Sequence, residues 1–323
     1  MDELEFLKKY RSFLITSHLS PDGDAIGSEI ALCLFLKETG KKAIIVNDEP
    51  VPANYRFLSG SEIIQTIKDF KHQSPKKEPF EAAILLECSG KNRAGQTGKL
   101  VDKKPILNID HHFDNTLYGD VNLVRLKVSA CGEIIYDLIR KARGTITEEI
   151  ASALYTAVLT DTSSFRFHAR TRTFRIVADL TDKKADPDRI FEKVYEQVSF
   201  PTLLLLGKSL STITQALGGL VTYCRVDRNM YRETGTTETD SESFIDYLRV
   251  IEGSKITFIL KELPNGKTRV NLRSKDRYDV QQIAARFGGG GHLNAAGCTI
   301  SAGPEESSHL VLTAIEQTLA KTL

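Results

Sequence analysis

In the first half of the chain, aspartate, glutamate and histidine recur directly after short apolar runs, a pattern suited to chemistry on phosphate. Phe13-Leu14-Ile15-Thr16 is followed by Ser17-His18-Leu19-Ser20-Pro21-Asp22-Gly23-Asp24. The run 82–86 leads into Glu87-Cys88-Ser89, 106–109 into Asp110-His111-His112, and Ala157-Val158-Leu159 into Thr160-Asp161-Thr162. One Asp or His past an apolar run reads as a turn residue or cap. Four such ends that mix carboxylate and imidazole without thiolate fit two hard-to-borderline divalent cations better than a structural zinc. Mn²⁺ heads the candidates, with Mg²⁺ and Co²⁺ beside it. Two ions roughly 3.5–4 Å apart need a bridging carboxylate, and such pairs activate water for attack at phosphorus.

The apolar runs at 13–16, 43–46, 82–86 and 106–109 read as strands, separated by helical patterns such as 26–39. Helices follow over 131–142 and 148–160, the second with Thr147 as its N-cap. Continuous apolar strands alternating with helices predict an α/β fold, a parallel sheet with helices on both faces. In such sheets ligands bind outside the carboxyl ends of the strands, where the polar residues lie.

A length of 323 residues suits two domains. We expect a catalytic domain over 1–183 and a helical linker over 184–217, with helices at 188–197 and 202–216. A smaller α/β domain with a mixed sheet then covers 218–323. Its strands are expected at 220–226, 255–260 and 268–272. The last two form a hairpin through Pro264-Asn265-Gly266, and helices fall at 242–250, 280–287 and 304–318.

The net charge of +1 gives no global basic field, so an anionic substrate must be held by local features. The acidic start does not read as a signal peptide, and no apolar run approaches the ~18 residues of a membrane span, so a cytoplasmic protein without membrane association is expected. The five cysteines are scattered with no C-x-x-C pair and read as reduced and structural.

Arg273 and Ser274 lie at a strand end in the second half, and Gly288-Gly289-Gly290-Gly291-His292 follows a predicted helix. Consecutive glycines let backbone approach a ligand closely, and their N–H groups can form an anion-binding nest. A guanidinium grips phosphate through two hydrogen bonds, which suits Arg273 to the same task.

Together these residues resemble the DHH phosphoesterase superfamily, over nearly the whole chain. His18-x-x-x-Asp22-x-Asp24 matches its first motif, Glu87 falls at the second, Asp110-His111-His112 is the third and Asp161 the fourth. The resemblance implies that His18 and Asp22 bind one metal, that Asp24, His111 and Asp161 bind the other, and that Glu87 bridges them. Asp110 would orient the histidines, and His112 would face the substrate phosphate. The Gly-Gly-Gly-His run resembles the DHH-associated C-terminal domain, which implies that Arg273, Ser274, Gly288 to Gly291 and His292 bind the nucleotide. The family has Asp at the second motif, in a run like Asp-Cys-Ser-Asp, where this chain has Glu87-Cys88-Ser89-Gly90.

Length and domain order most resemble the nanoRNase/pAp phosphatase group. That implies hydrolysis of short oligoribonucleotides of 2–5 residues to mononucleotides, and removal of the 3′-phosphate of adenosine 3′,5′-bisphosphate (pAp). It also leaves room for a homodimer. A soluble phosphodiesterase for cyclic di-AMP or pApA is the alternative within the superfamily. The alternative of another class is an impaired nucleotide-binding or sensing protein, suggested by Glu87 with Gly90.

Overall fold

The computed structural model describes residues 1–73 and 80–319 and divides into two compact units, Met1–Gln197 and Val198–Leu323. The stretch 184–217, expected as one linker, is thereby shared between the units, and residues 320–323 lie outside the described residues.

The first unit contains strands β1 (Ser12–Thr16), β2 (Lys42–Asn47), β3 (Ile64–Thr66), β4 (Ala82–Leu86), β5 (Ile106–Asp110) and β6 (Val121–Val124). Its helices are α1 (Glu3–Lys9), α2 (Gly23–Glu38), α3 (Ile67–Gln73), α4 (Gly95–Leu100), α5 (Cys131–Lys141), α6 (Glu148–Asp161), α7 (Thr171–Asp182) and α8 (Pro187–Tyr195). The strands form a parallel sheet in the order β3-β2-β1-β4-β5-β6. The order reverses between β1 and β4, so a crevice opens at their carboxyl ends, the usual ligand position in such sheets.

β4 and β5 are buried along their whole length, as expected of parallel strands covered on both faces. One face packs Ile26, Ile30, Ile134 and Leu154 from α2, α5 and α6. The other packs Leu14, Val46, Phe70, Leu85 and Val101. β3 and β6 are short edge strands without an apolar run, which is why neither is visible in the sequence.

Two local devices set the position of α2. It begins at Gly23, three residues before the expected start at 26, because the Asp22 carboxylate accepts the Ala25 N–H at 3.0 Å and caps the helix. A Cβ at Gly27 would lie 2.3 Å from the Ala153 carbonyl oxygen, so glycine there lets the backbones of α2 and α6 touch. Asp24 in the first turn of α2 is thereby brought towards Asp161 at the end of α6.

The second unit contains α9 (Phe200–Leu210), β7 (Thr214–Ala216), β8 (Val221–Val226), α10 (Arg228–Thr234), α11 (Ile245–Arg249), β9 (Ile256–Glu262), β10 (Thr268–Ser274), α12 (Val280–Ala285), β11 (Gly290–His292), β12 (Ala295–Ile300) and α13 (Pro304–Leu319). Its sheet runs β11-β12-β10-β9-β8-β7, with β8 and β9 parallel and the other pairs antiparallel. The β9–β10 hairpin turns at Pro264-Asn265-Gly266, with Gly266 at φ +74°.

Three expectations are corrected here. The helix expected over 202–216 stops at Leu210, and Thr214–Ala216 pairs with β8 instead. The β-branched residues Thr212, Ile213 and Thr214 favour that extended course. The helix expected over 242–250 is a 3₁₀ segment, Glu238–Phe244, followed by α11. Part of the glycine run is strand β11.

Candidate functional site

The crevice between β1 and β4 gathers the carboxylates and imidazoles from four chain ends. One ligand atom each from His18, Asp22 and Glu87 lie within 4.8 Å of one another, and so do those of Asp24, His111 and Asp161. A third such group joins Glu87, His111 and His112. Glu87 and His111 are the shared members.

His18, Asp22, Glu87 and His111 each keep a donor atom free of hydrogen bonds within the fold, whereas both oxygens of Asp24 are already engaged. His18 Nδ1 contacts the Leu19 carbonyl at 2.7 Å, which leaves Nε2. Asp22 spends one carboxylate oxygen on capping α2 and keeps the other. Asp24 is fully buried and accepts the N–H groups of Cys131 at 2.6 Å and Gly132 at 2.9 Å, together with the Ser28 hydroxyl. The N-terminus of α5 has no side-chain cap of its own, so Asp24 supplies one from α2. Asp161 Oδ2 lies 3.5 Å from His111 Nε2.

Glu87 follows β4 with a left-handed backbone, φ +57°, a strained conformation for a side chain of this length. Its Oε1 lies 3.0 Å from His111 Nε2, yet both atoms are buried without a hydrogen-bond partner. Burial pushes the Glu87 carboxyl up to about 8, with the charges of Asp22 and Asp161 acting in the same direction. Burial likewise raises Asp24 well above the carboxylate range and raises Asp161. Crowded, desolvated carboxylates beside orphaned donor atoms fit a cluster built for divalent cations, which would offset the repulsion and satisfy the orphans. The donor set of oxygen and imidazole nitrogen suits that class of ion.

Asp110 takes a different position. Its Oδ1 accepts the backbone N–H of His111 and His112 and contacts His112 Nδ1 at 2.8 Å, and its Oδ2 accepts from Asn115 at 2.5 Å. Burial works against its charge, but the hydrogen bonds from His112 and Asn115 outweigh burial and hold its carboxyl low. That bond to Asp110 raises His112, against the opposing effect of burial. With Nδ1 donating to Asp110, Nε2 is the ring nitrogen left for a substrate. The side-chain bond orients His112 alone of the two histidines; His111 receives only a backbone contact from Asp110.

In the second unit, a cavity of about 670 Å³ is lined by Arg269, Asn271, Arg273, Phe287 and Gly288 to Gly291. Arg269, Asn271 and Arg273 alternate along β10, so all three face the cavity. Period-two alternation places Ser274 on the opposite face. It is buried, its hydroxyl donates to the Tyr278 carbonyl, and it accepts from Asn294. Ser274 is therefore not brought to the cavity beside Arg273. Of the four glycine N–H groups expected to form an anion nest, two are used within the fold. The N–H groups of Gly288 and Gly289 close the end of α12 on the carbonyls of Ala285 and Ala284, and Gly290 and Gly291 pair with β12. A Cβ at Gly289 would lie 2.2 Å from the Gly297 carbonyl oxygen, so glycine there lets two stretches of this unit's backbone pack closely. His292 is exposed and pairs with Ala295, which itself lines the cavity. Arg269 and Asn271 were not anticipated, although their spacing from Arg273 along one strand is the signal that finds them.

The five cysteines are free and buried, and burial raises Cys88 beside Glu87 well above the ordinary thiol. Among the described residues no helix is long and apolar enough to cross a membrane.

Comparison with known proteins agrees with this architecture. Residues 12–158 match the model of the DHH family, N-terminal domain, and 218–321 match the DHHA1 domain. The chain is 31% identical over 310 residues to the bifunctional oligoribonuclease and PAP phosphatase NrnA of Thermus thermophilus, covering 95% of this chain and 90% of that protein. It is 24% identical to the Bacillus subtilis protein of the same name, covering 90% of each. A crystal structure of an exopolyphosphatase-related protein from Bacteroides fragilis superposes with a TM-score of 0.89 at 25% identity, covering 97% of this chain and 94% of that one. RecJ of Thermus thermophilus in complex with Mn²⁺ shares the fold alone, with a TM-score of 0.53 at 13% identity, covering 98% of this chain and 53% of that one. A fold with its crevice at the β1–β4 reversal, two matched domains and a relative aligned along almost its whole length converge on one assignment: the chain belongs to the DHH family and is a divalent-metal-dependent phosphoesterase.

Proposed function

We propose that this protein hydrolyses short oligoribonucleotides of 2–5 residues to mononucleotides and removes the 3′-phosphate of pAp, using two Mn²⁺ ions. The relatives from Thermus thermophilus and Bacillus subtilis carry names for these two activities. The observation that carries the two-metal reading is the pair Glu87 Oε1 and His111 Nε2, buried 3.0 Å apart with no hydrogen-bond partner on either atom. In this reading His18 and Asp22 hold one ion, Asp24, His111 and Asp161 hold the second, and Glu87 reaches both.

When bound, the ions would supply Lewis acidity toward the phosphate and toward water. The chain's own groups do the rest. Asp110 fixes the His112 ring through Nδ1 and raises its proton affinity, so Nε2 can present a proton to the phosphate. Arg273 would bind a phosphate at its cavity, where burial has already stripped part of its hydration. The glycine run would admit the nucleotide close to backbone, with His292 at the margin.

Purified protein with Mn²⁺, assayed against pAp, pApA, 2–5-mer RNA and cyclic di-AMP, tests the proposal. Turnover of pAp and short RNA is expected. Preference for cyclic di-AMP would replace the substrate assignment. Binding without turnover of any of them would replace the enzyme by a nucleotide sensor.

A further inference from the structure

Phe113 follows His112 directly and is 90% exposed. Single exposed apolar side chains are ordinary on protein surfaces. What sets this one apart is how firmly its turn is held and by what. The Asn115 N–H closes the turn on the His112 carbonyl at 3.4 Å. The Asn115 side chain bonds the Asp110 carboxylate and the Cys88 carbonyl. Thr116 is tied to the Ser89 carbonyl through both its N–H and its hydroxyl, and the Ser89 hydroxyl reaches Asp114. The carboxylate that orients His112 therefore also anchors the turn that displays Phe113. An aromatic ring stands in solvent on a firmly held turn, one residue from the group assigned to the phosphate.

We propose that the Phe113 ring is a stacking platform for the nucleobase adjoining the phosphate that His112 faces. The inference rests on the nucleotide substrate proposed above and adds a base contact to it. His112 and Phe113 are consecutive in the held turn, so a base-sized π-face is attached beside the residue assigned to the phosphate. Stacking needs only a π-face, so such a platform accepts any base and suits an enzyme for oligoribonucleotides of mixed sequence. It also gives the first unit its own hold on the nucleoside, independent of the Arg273 cavity.

The test compares diadenylate with an analogue in which both bases are replaced by hydrogen. In Phe113→Ala, the preference in kcat/KM for diadenylate over the base-free analogue is expected to fall between about fivefold and a hundredfold, through KM. Phe113→Tyr should restore it. An unchanged preference, whether from equal loss on both substrates or no loss on either, overturns the proposal. So does a change in oligomeric state by sedimentation without a change in preference, which would assign the ring to a contact between copies of the chain. A direct readout exists because the chain has no tryptophan. In Phe113→Trp, adenosine 5′-monophosphate should quench the indole fluorescence and ribose 5-phosphate should not; equal response to both overturns stacking. If the wild type hydrolyses neither diadenylate nor pAp, the substrate reading fails first and this proposal with it. If the wild type is active and the preference is insensitive to position 113, only the stacking is lost.

Discussion

Asp24 in α2 accepts the backbone N–H of Cys131 at 2.6 Å, so a carboxylate of the candidate cation cluster is also the cap of α5. The pairing joins residues 107 positions apart and couples the site to the packing of α2, α5 and α6. Asp24→Ala is therefore expected to destabilise the protein even without metal, by about 1–3 kcal/mol, since it leaves the buried N–H groups of Cys131 and Gly132 unpaired. Asp22→Ala, which removes one exposed helix cap, should cost about 1 kcal/mol. Urea denaturation in the presence of a chelator measures both; equal costs would contradict the capping role of Asp24.

Glu29, which is not itself a candidate ligand, gives a pH prediction. It is fully buried in α2, with Oε2 accepting from Asn47 at 2.9 Å, and burial raises its carboxyl from 4.5 to about 7. A folded-state value above the unfolded one means that the folded protein binds the extra proton, so this contribution to stability is present below pH 4.5 and is lost as pH rises through 7. Glu29→Gln removes that dependence. It should match the wild type near pH 5 and exceed it at pH 8, by on the order of 3 kcal/mol. Denaturation midpoints of both proteins across this range check the sign.

At Glu87 the backbone sits at φ +57°, a region that aspartate tolerates better than glutamate. Glu87→Asp keeps the charge, relieves strain and shortens the reach by one methylene. We expect stability retained or raised, and activity retained. A large loss of kcat would show that the cluster is built around the longer side chain.

Much of this was legible in the sequence, and the reasons differ by residue. His18, Glu87 and Asp110 stand out because buried parallel strands are mostly apolar, so carboxylates and imidazoles clustered just past each run mark the carboxyl ends of the sheet. The start of α2 was misplaced because Asp22 is both a helix cap and a candidate ligand, and the Gly23-Asp24 pair looked like loop. Tertiary partners left no local trace: nothing near residue 130 says that the cap of α5 comes from Asp24. In the second unit, Arg273 is visible from its motif, whereas alternation along β10, which turns Ser274 to the other face, is not. Arg269 and Asn271 obey the same alternation within the strand expected at 268–272, but no motif marks them.

His112 offers a kinetic prediction. His112→Ala should lower kcat roughly 10²- to 10⁴-fold if the ring transfers a proton at the phosphate. Asp110→Asn should lower kcat less and also lower the proton affinity of the ring, because the bond to Asp110 is what raises it. Steady-state kinetics with NMR titration of His112 separates the two effects; an unchanged ring titration in Asp110→Asn would contradict the pairing.

The proposed cluster for two cations is built around Glu87 and His111, and counting the bound ions is its sharpest check. Equilibrium dialysis against Mn²⁺ with elemental analysis should give two ions per chain in the wild type and fewer than two in His111→Ala. One ion or none in the wild type, or two retained in His111→Ala, would contradict the account.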